Sequence, residues 1–337
     1  MASVPVFVGL DYHQESVQVC VLNGAGELLA NLSCDNDWRV LDRVARGYGQ
    51  EIRAAIESCT GAANLAEELV AKAHWSVDLA HPGFVARMKQ HPDKTDRQDA
   101  HVLADLERVG YLPRVWLAPE AVRELRQLVR YRQQLVDQRR AAKLRVRAVL
   151  REQRCRAPQE IRSWSKAWRF WVEKVASLSE QGRWVVSQHL QEVDRLGARL
   201  REAEKRLEQA TAQDEEVARL RQQRGIGPVT AWVLRAEVGR FDRFRNGKQL
   251  ARFCGLSPRN VSSGQRQADA GLVKAANPQL RAVLIEAAHR LARLEPRWRQ
   301  LAQHLRSQGK PGSVVAAAVA NRWVRWLFHA MQPKKAA

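Results

Sequence analysis

Short apolar runs broken by polar residues open the chain. Residues 5–10 and 16–22 read as two β-strands separated by the polar turn Asp11–Glu15, and a third strand fits 27–32. Residues 37–48 then change period, with Trp38, Val40, Leu41 and Val44 at helical spacing. A short, mostly apolar strand follows at 52–57. Thr60 is placed to cap a helix that runs to about His74, with Leu65, Leu69 and Val70 on one face. Ser76–Ala80 reads as a further strand. Three consecutive strands followed by strands alternating with helices predict a mixed α/β domain. In such open sheets functional groups collect at the strand ends.

Beyond about Pro119 the strand pattern disappears. The stretch 119–154 is helical and basic, with Arg123, Arg126, Arg130, Arg139, Arg140, Lys143, Arg147, Arg151 and Arg154 recurring among apolar residues such as Leu125, Leu128, Leu135 and Leu150. A second long helix is predicted over 183–212, through Leu190, Val193, Leu196, Leu200 and Leu207. Together they fit an antiparallel coiled-coil hairpin, an arm of the molecule. The alternative is an ordinary amphipathic pair packed on the body. Between them Trp164, Trp168 and Trp171 have the spacing of one helix face, which favours core or interface packing over base stacking.

Residues Arg224–Thr230, with Gly225 and Gly227 before Pro228, join two helical stretches. The turn resembles a helix-hairpin-helix module, whose glycine turn offers amides to a phosphate, although such a turn can also simply link helices. A helix at Gly247–Phe253, a polar glycine-containing loop through 257–271 and helices at about 278–293, 296–308 and 313–331 complete a mostly α C-terminal region.

Charge narrows the function. The 337 residues carry 56 Lys and Arg against 36 Asp and Glu, a net +20, which favours a polyanionic partner. No run reaches the length of a membrane-spanning helix, so nucleic acid is preferred to a membrane. The five cysteines (20, 34, 59, 155 and 254) are odd in number and form no paired motif. That argues against a disulfide framework or zinc module and for a reduced, cytoplasmic setting.

Against this basic background four acidic residues stand out. Asp11 ends the first apolar run and Glu57 ends the 52–57 strand. Asp96 and Asp99, three apart, share one helix face. Any one of them could be a cap or a solvated charge. Crowded together they would repel, and a divalent cation such as Mg²⁺ or Mn²⁺ would relieve the repulsion. Such sites cut and rejoin phosphodiesters. A second candidate is the polar loop 259–266, where Ser262 and Ser263 precede Gly264 and basic Arg259, Arg266 and Lys274 would favour a phosphate nearby. A serine needs activation to attack phosphorus, and the loop holds no histidine.

Taken in order, these motifs resemble the DEDD transposases of bacterial insertion sequences, the group that includes the Piv-type invertases. The resemblance rests on Val8-Gly9-Leu10-Asp11, Ile56-Glu57-Ser58-Cys59-Thr60-Gly61, Lys94-Thr95-Asp96-Arg97-Gln98-Asp99-Ala100, Gly225-Ile226-Gly227-Pro228, Gly255-Leu256-Ser257-Pro258, Ser262-Ser263-Gly264 and Asn277-Pro278-Gln279-Leu280-Arg281. It implies a RuvC-like (RNase H-like) nuclease domain over 1–112, a helical arm over 113–212 and a C-terminal transposase domain over 213–337. It also implies Asp11, Glu57, Asp96 and Asp99 as the metal-binding catalytic tetrad, with Ser263 (Ser262 as the fallback) forming a serine–phosphate link to DNA. A structured bridge RNA would pair with donor and target DNA. Gly225, Gly227, Arg139, Arg140, Lys143, Arg147, Arg259, Arg266 and Lys274 would hold nucleic-acid backbones. A homo-oligomer, dimer or tetramer, working at the bacterial nucleoid completes the expectation. The alternatives are a metal-only nuclease selective for four-way junctions and a non-catalytic nucleic-acid-binding protein.

Overall fold

The computed structural model describes residues 5–88, 95–261 and 269–332. Its contacts divide the chain into two units, Met1–Pro119 and Glu120–Ala337.

Unit 1 runs β1 (Val6–Tyr12), β2 (Ser16–Leu22), β3 (Leu28–Asp35), α1 (Trp38–Arg46), β4 (Ile52–Glu57), α2 (Ala62–Ala73), β5 (Ser76–Ala80), α3 (Pro82–Met88), α4 (Asp96–Arg108) and β6 (Arg114–Val115). The strands form one mixed sheet in the order β3-β2-β1-β4-β5-β6. β1 pairs antiparallel with β2 and parallel with β4. This arrangement is consistent with a RuvC-like domain.

The sheet is covered on both faces, which explains why its central strands are apolar at nearly every position. Val6, Val8 and Leu10 of β1 join Ile52, Ala54 and Ile56 of β4 in a core with Leu41, Leu65 and Leu69 of α1 and α2. The alternate residues face the other way. Phe7 packs with Cys20, Leu22, Ala100 and Ala104, and Ala55 packs with Val85 and Leu103.

Two local readings are corrected. The cap of α2 is Gly61, not Thr60, and no side chain caps this end. Gly61 sits at φ +95°, and a Cβ there would strike the Tyr12 hydroxyl, so the tight approach to β1 sets the helix start. The strand β1 also runs two residues further than its apolar run, because Tyr12 still pairs with Val17.

Unit 2 contains α5 (Glu120–Glu152), α6 (Lys166–Phe170) leading into a π-turn at Trp171–Val175, α7 (Glu180–Ala210), α8 (Glu215–Arg221), α9 (Pro228–Val238), a 3₁₀ turn at Phe241–Arg243, α10 (Gly247–Phe253), β7 (Pro258–Asn260), β8 (Asp269–Leu272), α11 (Pro278–Leu294), α12 (Pro296–Ser307) and α13 (Gly312–Ala330). The helices α5 and α7 run antiparallel. Arg132 pairs with Glu204 near one end of the contact, and Gln153 Nε2 donates to Ser179 Oγ at the other. Leu135, Leu196, Leu200 and Ala203 fill the seam between them.

At its start α5 enters the main core of the unit. Leu125 and Val129 pack with α9, α11 and α13 around fully buried Trp323. Arg126 and Arg130 lie against the buried Glu237 carboxylate of α9. The tryptophan cluster is core, as its spacing suggested, but it is not one helix face. Trp168 and Trp171 are buried, whereas Trp164 precedes α6 in a turn at φ +68°, its ring tilted against that of Trp168 with centroids 4.5 Å apart. Part of the expected loop at 257–271 is strand, because β7 and β8 pair through Pro258↔Leu272 and Asn260↔Asp269.

Candidate metal centre

Strand parity places the first two carboxylates. Asp11 shares the face of Phe7 and Gly9, and Glu57 that of Arg53 and Ala55; both faces turn toward α4. Because Leu10 and Ile56 are in register on parallel neighbours, Asp11 and Glu57 follow side by side at the same ends of their strands.

The second pair arrives on α4. Thr95 caps that helix by accepting from Gln98 N–H at 3.3 Å, so Asp96 and Asp99 occupy its first turns, where the helix dipole favours negative charge. The helix lies almost in van der Waals contact with the strand. A Cβ on Gly9 would fall onto the Ala100 carbonyl oxygen and within 2.6 Å of Ala104 N. A tie from the sheet fixes the end that carries the carboxylates. Gln18 Nε2 donates to Asn31 Oδ1 at 2.7 Å, and Asn31 Nδ2 donates to the Arg97 carbonyl at 3.0 Å.

The resulting cluster is electrostatically tight. His13 Nε2 stands 3.5 Å from Asp11 Oδ2 and 3.3 Å from Asp96 Oδ2. One donor atom from each of Asp11, His13 and Asp96 falls within 4.8 Å of the others, a group able to hold a metal ion. Burial pushes the Asp11 carboxyl above its ordinary pKa. His13 opposes that shift, and Asp99, Asp96 and Glu57 reinforce it. Asp99 is buried, and Asp96 is exposed. Crowded carboxylates on a raised Asp11, with an imidazole between two of them, are a donor set that fits a divalent cation.

The nucleic-acid candidates are distributed over unit 2. Arg139, Lys143 and Arg147 follow one another at four-residue steps on α5, with exposed Arg140 beside them. The Lys143 ammonium is held below its usual pKa, first by desolvation and then by Arg139 and Arg147. Arg259 on β7 and Lys274 after β8 are exposed. Gly225 turns at φ +85° against Leu291, and Gly227 caps α9 ahead of Pro228. Ser262, Ser263 and Arg266 lie outside the described residues, in the segment that joins β7 to β8.

Comparison with known proteins decides the family. Residues 8–154 match a family model for transposases of the IS110 DEDD type, and residues 217–303 match that of the transposase IS116/IS110/IS902 family. A probable family 20 transposase of Pseudomonas aeruginosa is 31% identical over 284 residues, 81% of this chain and 82% of that protein. The chain belongs to the IS116/IS110/IS902 family of transposases. The transposase for insertion sequence element IS1328 of Yersinia enterocolitica is 28% identical over 80% of this chain and 81% of its own. That for IS1111A of Coxiella burnetii is 26% identical over 60% and 56%. In this family member Asp11, Glu57, Asp96 and Asp99 all fall within the first matched region, and Ser263 within the second. No described helix is long and apolar enough to cross a membrane.

His13, Gln18 and Asn31 join the site only in three dimensions. His13 sits in a stretch read only as a polar turn, two residues after Asp11. Its alternation with Asp11 was the available signal, since residues two apart at a strand end share a face. Gln18 and Asn31 become meaningful only through the pairing of β2 with β3.

Proposed function

We propose that this transposase cuts and rejoins DNA for an insertion sequence, with Asp11, Glu57, Asp96 and Asp99 as a Mg²⁺ or Mn²⁺ site and Ser263 as nucleophile. The observation that carries the reading is the meeting of Asp11 and Asp96 around His13 at the end of the central strands, in a chain of this family with net charge +20. A bound divalent cation would supply charge to the non-bridging oxygens of the scissile phosphate. Asp11 and Asp96 would be its nearest oxygen donors, and Glu57 and Asp99 would complete the negative field. His13 would add an imidazole nitrogen beside these oxygen donors.

In the proposed reaction the Ser263 hydroxyl oxygen bonds to phosphorus as the bond to the 3′ oxygen breaks. The serine proton leaves, the 3′ oxygen takes up a proton, and a serine–DNA phosphodiester remains. An incoming 3′ hydroxyl reverses the step on a partner strand. The basic residues Arg259, Arg266 and Lys274 would hold the phosphate, and the glycine turn at Gly225 and Gly227 would meet a backbone phosphate as a helix-hairpin-helix element does. The α5–α7 pair would serve as a coiled-coil arm of a dimer or tetramer. A bridge RNA would supply target choice by base pairing, which leaves Arg139, Arg140, Lys143 and Arg147 to grip backbones by charge.

Labelled DNA resolved under denaturing conditions tests the nucleophile. The parent protein should carry a covalent DNA adduct that Ser263→Ala lacks and Ser262→Ala retains. Cutting by Ser263→Ala at the parental rate would leave a metal-only nuclease as the better description. Sequencing of RNA that copurifies with the protein tests guidance.

The Gln18–Asn31–Arg97 tie makes a smaller prediction. Asn31→Ala should slow strand cleavage by about three- to tenfold, on the scale of one net hydrogen bond of about 1 kcal/mol. Its melting temperature should stay close to that of the parent, because Asn31 is half-exposed on the edge strand. An unchanged cleavage rate would show that the tie does not position Asp96 and Asp99.

A further inference from the structure

A cleft opens in unit 2 where α5 ends. The helix α5 ends at Glu152, and Cys155 N–H donates back to the Leu150 carbonyl at 2.8 Å while Arg154 turns the chain at φ +54°. That conformation usually falls to glycine. Between this turn, the segment that follows it and α6 opens a cleft of about 1090 Å³. Arg147, Arg151, Arg154 and Arg156 line it, and Trp168 and Trp171 form its floor.

Three features of these arginines are unusual. Arg151, Arg154 and Arg156 are exposed, and among the described residues their side chains have no hydrogen-bond or ion-pair partner. No aspartate or glutamate lines the cleft, although Glu152 and Glu160 are near in sequence. The stripe Arg139–Lys143–Arg147 leads along α5 directly to it. A helix C-terminus attracts cations, which accounts for Arg151 but not for Arg154 or Arg156 beyond the helix. A cleft with charge of one sign and low-dielectric walls, here two buried indoles, concentrates the field on whatever anion enters.

We propose that this cleft seats the phosphodiester backbone of a nucleic-acid strand on Arg151, Arg154 and Arg156. The inference rests on the reading of the chain as a nucleic-acid enzyme and adds a contact site to it. The volume exceeds the roughly 300–1,000 Å³ of small-molecule sites, so a single free phosphate would leave most of it empty, whereas consecutive nucleotides would fill it. Guanidinium forks match phosphate oxygens two at a time. The seat is for backbone and not for stacked bases, because Trp168 and Trp171 keep only 4% and 8% of their surface exposed.

The test is the salt dependence of binding to the full-length protein, read by fluorescence anisotropy with a mixed-sequence single-stranded RNA and with duplex DNA. Each lost phosphate contact flattens the slope of log K against log salt by about 0.7 for single strands and about 0.9 for duplex. The triple variant Arg151→Gln, Arg154→Gln, Arg156→Gln should therefore flatten the slope by about 2 or more for the strand that occupies the cleft. The strand affected shows whether RNA or DNA is the source of the phosphates. A control with Arg39→Gln, Arg43→Gln and Lys72→Gln removes the same charge from α1 and α2 and should leave the slope within about 0.5 of the parent. Equal slopes in parent and cleft variant, or equal flattening in cleft and control variants, overturn the proposal. Failure of the parent to bind either strand overturns the underlying reading instead. Should the triple variant misfold, Arg156→Gln alone, in the loop after α5, should show about one third of the change, and no change there is equally decisive against the site.

Discussion

Asp11→Asn is expected to abolish strand cleavage without weakening the fold of the metal-free protein. In the proposed site Asp11 sits at the centre of the negative cluster. Its carboxyl is raised by burial, with Asp99, Asp96 and Glu57 adding to the effect against His13. A carboxyl whose folded pKa lies above its unfolded value contributes fully to stability only at pH below the unfolded value, and that contribution is lost as pH rises through the folded value. At neutral pH the ionised Asp11 is thus a cost to the metal-free fold, and the neutral amide removes that cost. The Asp11→Asn protein should melt in EDTA no lower than the parent. Its melting temperature should also fall less as pH rises from below the ordinary carboxylate pKa of about 3.9 toward neutrality.

A divalent cation reverses the balance in the parent alone. An ion that binds only the native state stabilises it by about 2.7 kcal/mol at a hundred times its dissociation constant. Mn²⁺ should raise the melting temperature of the parent by several degrees and that of Asp11→Asn by much less. Cleavage should fall by more than about a hundredfold, since metal-borne charge stabilisation amounts to several kcal/mol and each 1.4 kcal/mol is about tenfold in rate. Cleavage by Asp11→Asn at near the parental rate would remove the carboxylate cluster from the reaction. A parent whose melting is indifferent to Mg²⁺ and Mn²⁺ would deny the metal site itself.

The sheet was legible because its central strands are buried on both faces. Apolar runs such as Val6–Leu10 and Val19–Leu22 fit a strand buried on both faces, and α5 and α7 announce themselves by length and period. What escaped was decided by space rather than by pattern. Gly61 replaces Thr60 as the start of α2 because the Tyr12 ring stands in the way of a side chain. Trp164 keeps the spacing of Trp168 and Trp171 but leaves their helix, because the chain turns there at positive φ. The pairing of β7 with β8 was invisible in a stretch whose polar residues read as loop. At the site, the four carboxylates proposed as a tetrad were named from their motifs, whereas the two-residue spacing of His13 from Asp11 is a weak signal in a polar turn until the register of β1 and the start of α4 bring Asp11 and Asp96 to it. Ser263 was indicated by family resemblance alone; the loop around it offers basic charge but no histidine.

Gly9→Val should damage both stability and function, more than its conservative appearance suggests. The backbone of Gly9 is an ordinary strand conformation, paired with Cys20 and Ala55 on its two sides, so no left-handed geometry demands a glycine. The demand comes from α4. The atoms that a Cβ would meet are the Ala100 carbonyl and the Ala104 amide nitrogen, and backbone of a hydrogen-bonded helix cannot swing aside as a side chain can. To admit three carbons the helix must lift from the sheet, opening the contacts of Ala100 and Ala104 with Phe7, Cys20 and Leu22. Overpacking of a tight core costs about 1–3 kcal/mol and occasionally more, and the upper end applies where no side chain can yield. Gly24→Ala is the matched control, since a Cβ there meets nothing within 4 Å, and its urea midpoint should equal that of the parent. Lifting α4 also carries Asp96 and Asp99 away from Asp11. Even a Gly9→Val protein that folds should therefore lose the Mn²⁺-dependent rise in melting temperature, as Asp11→Asn does, though for the opposite reason: every carboxylate is present and their spacing is gone. A Gly9→Val protein with the parental urea midpoint and the parental response to Mn²⁺ would mean that α4 does not rest on β1, and the convergence of strand and helix carboxylates would lose its physical basis.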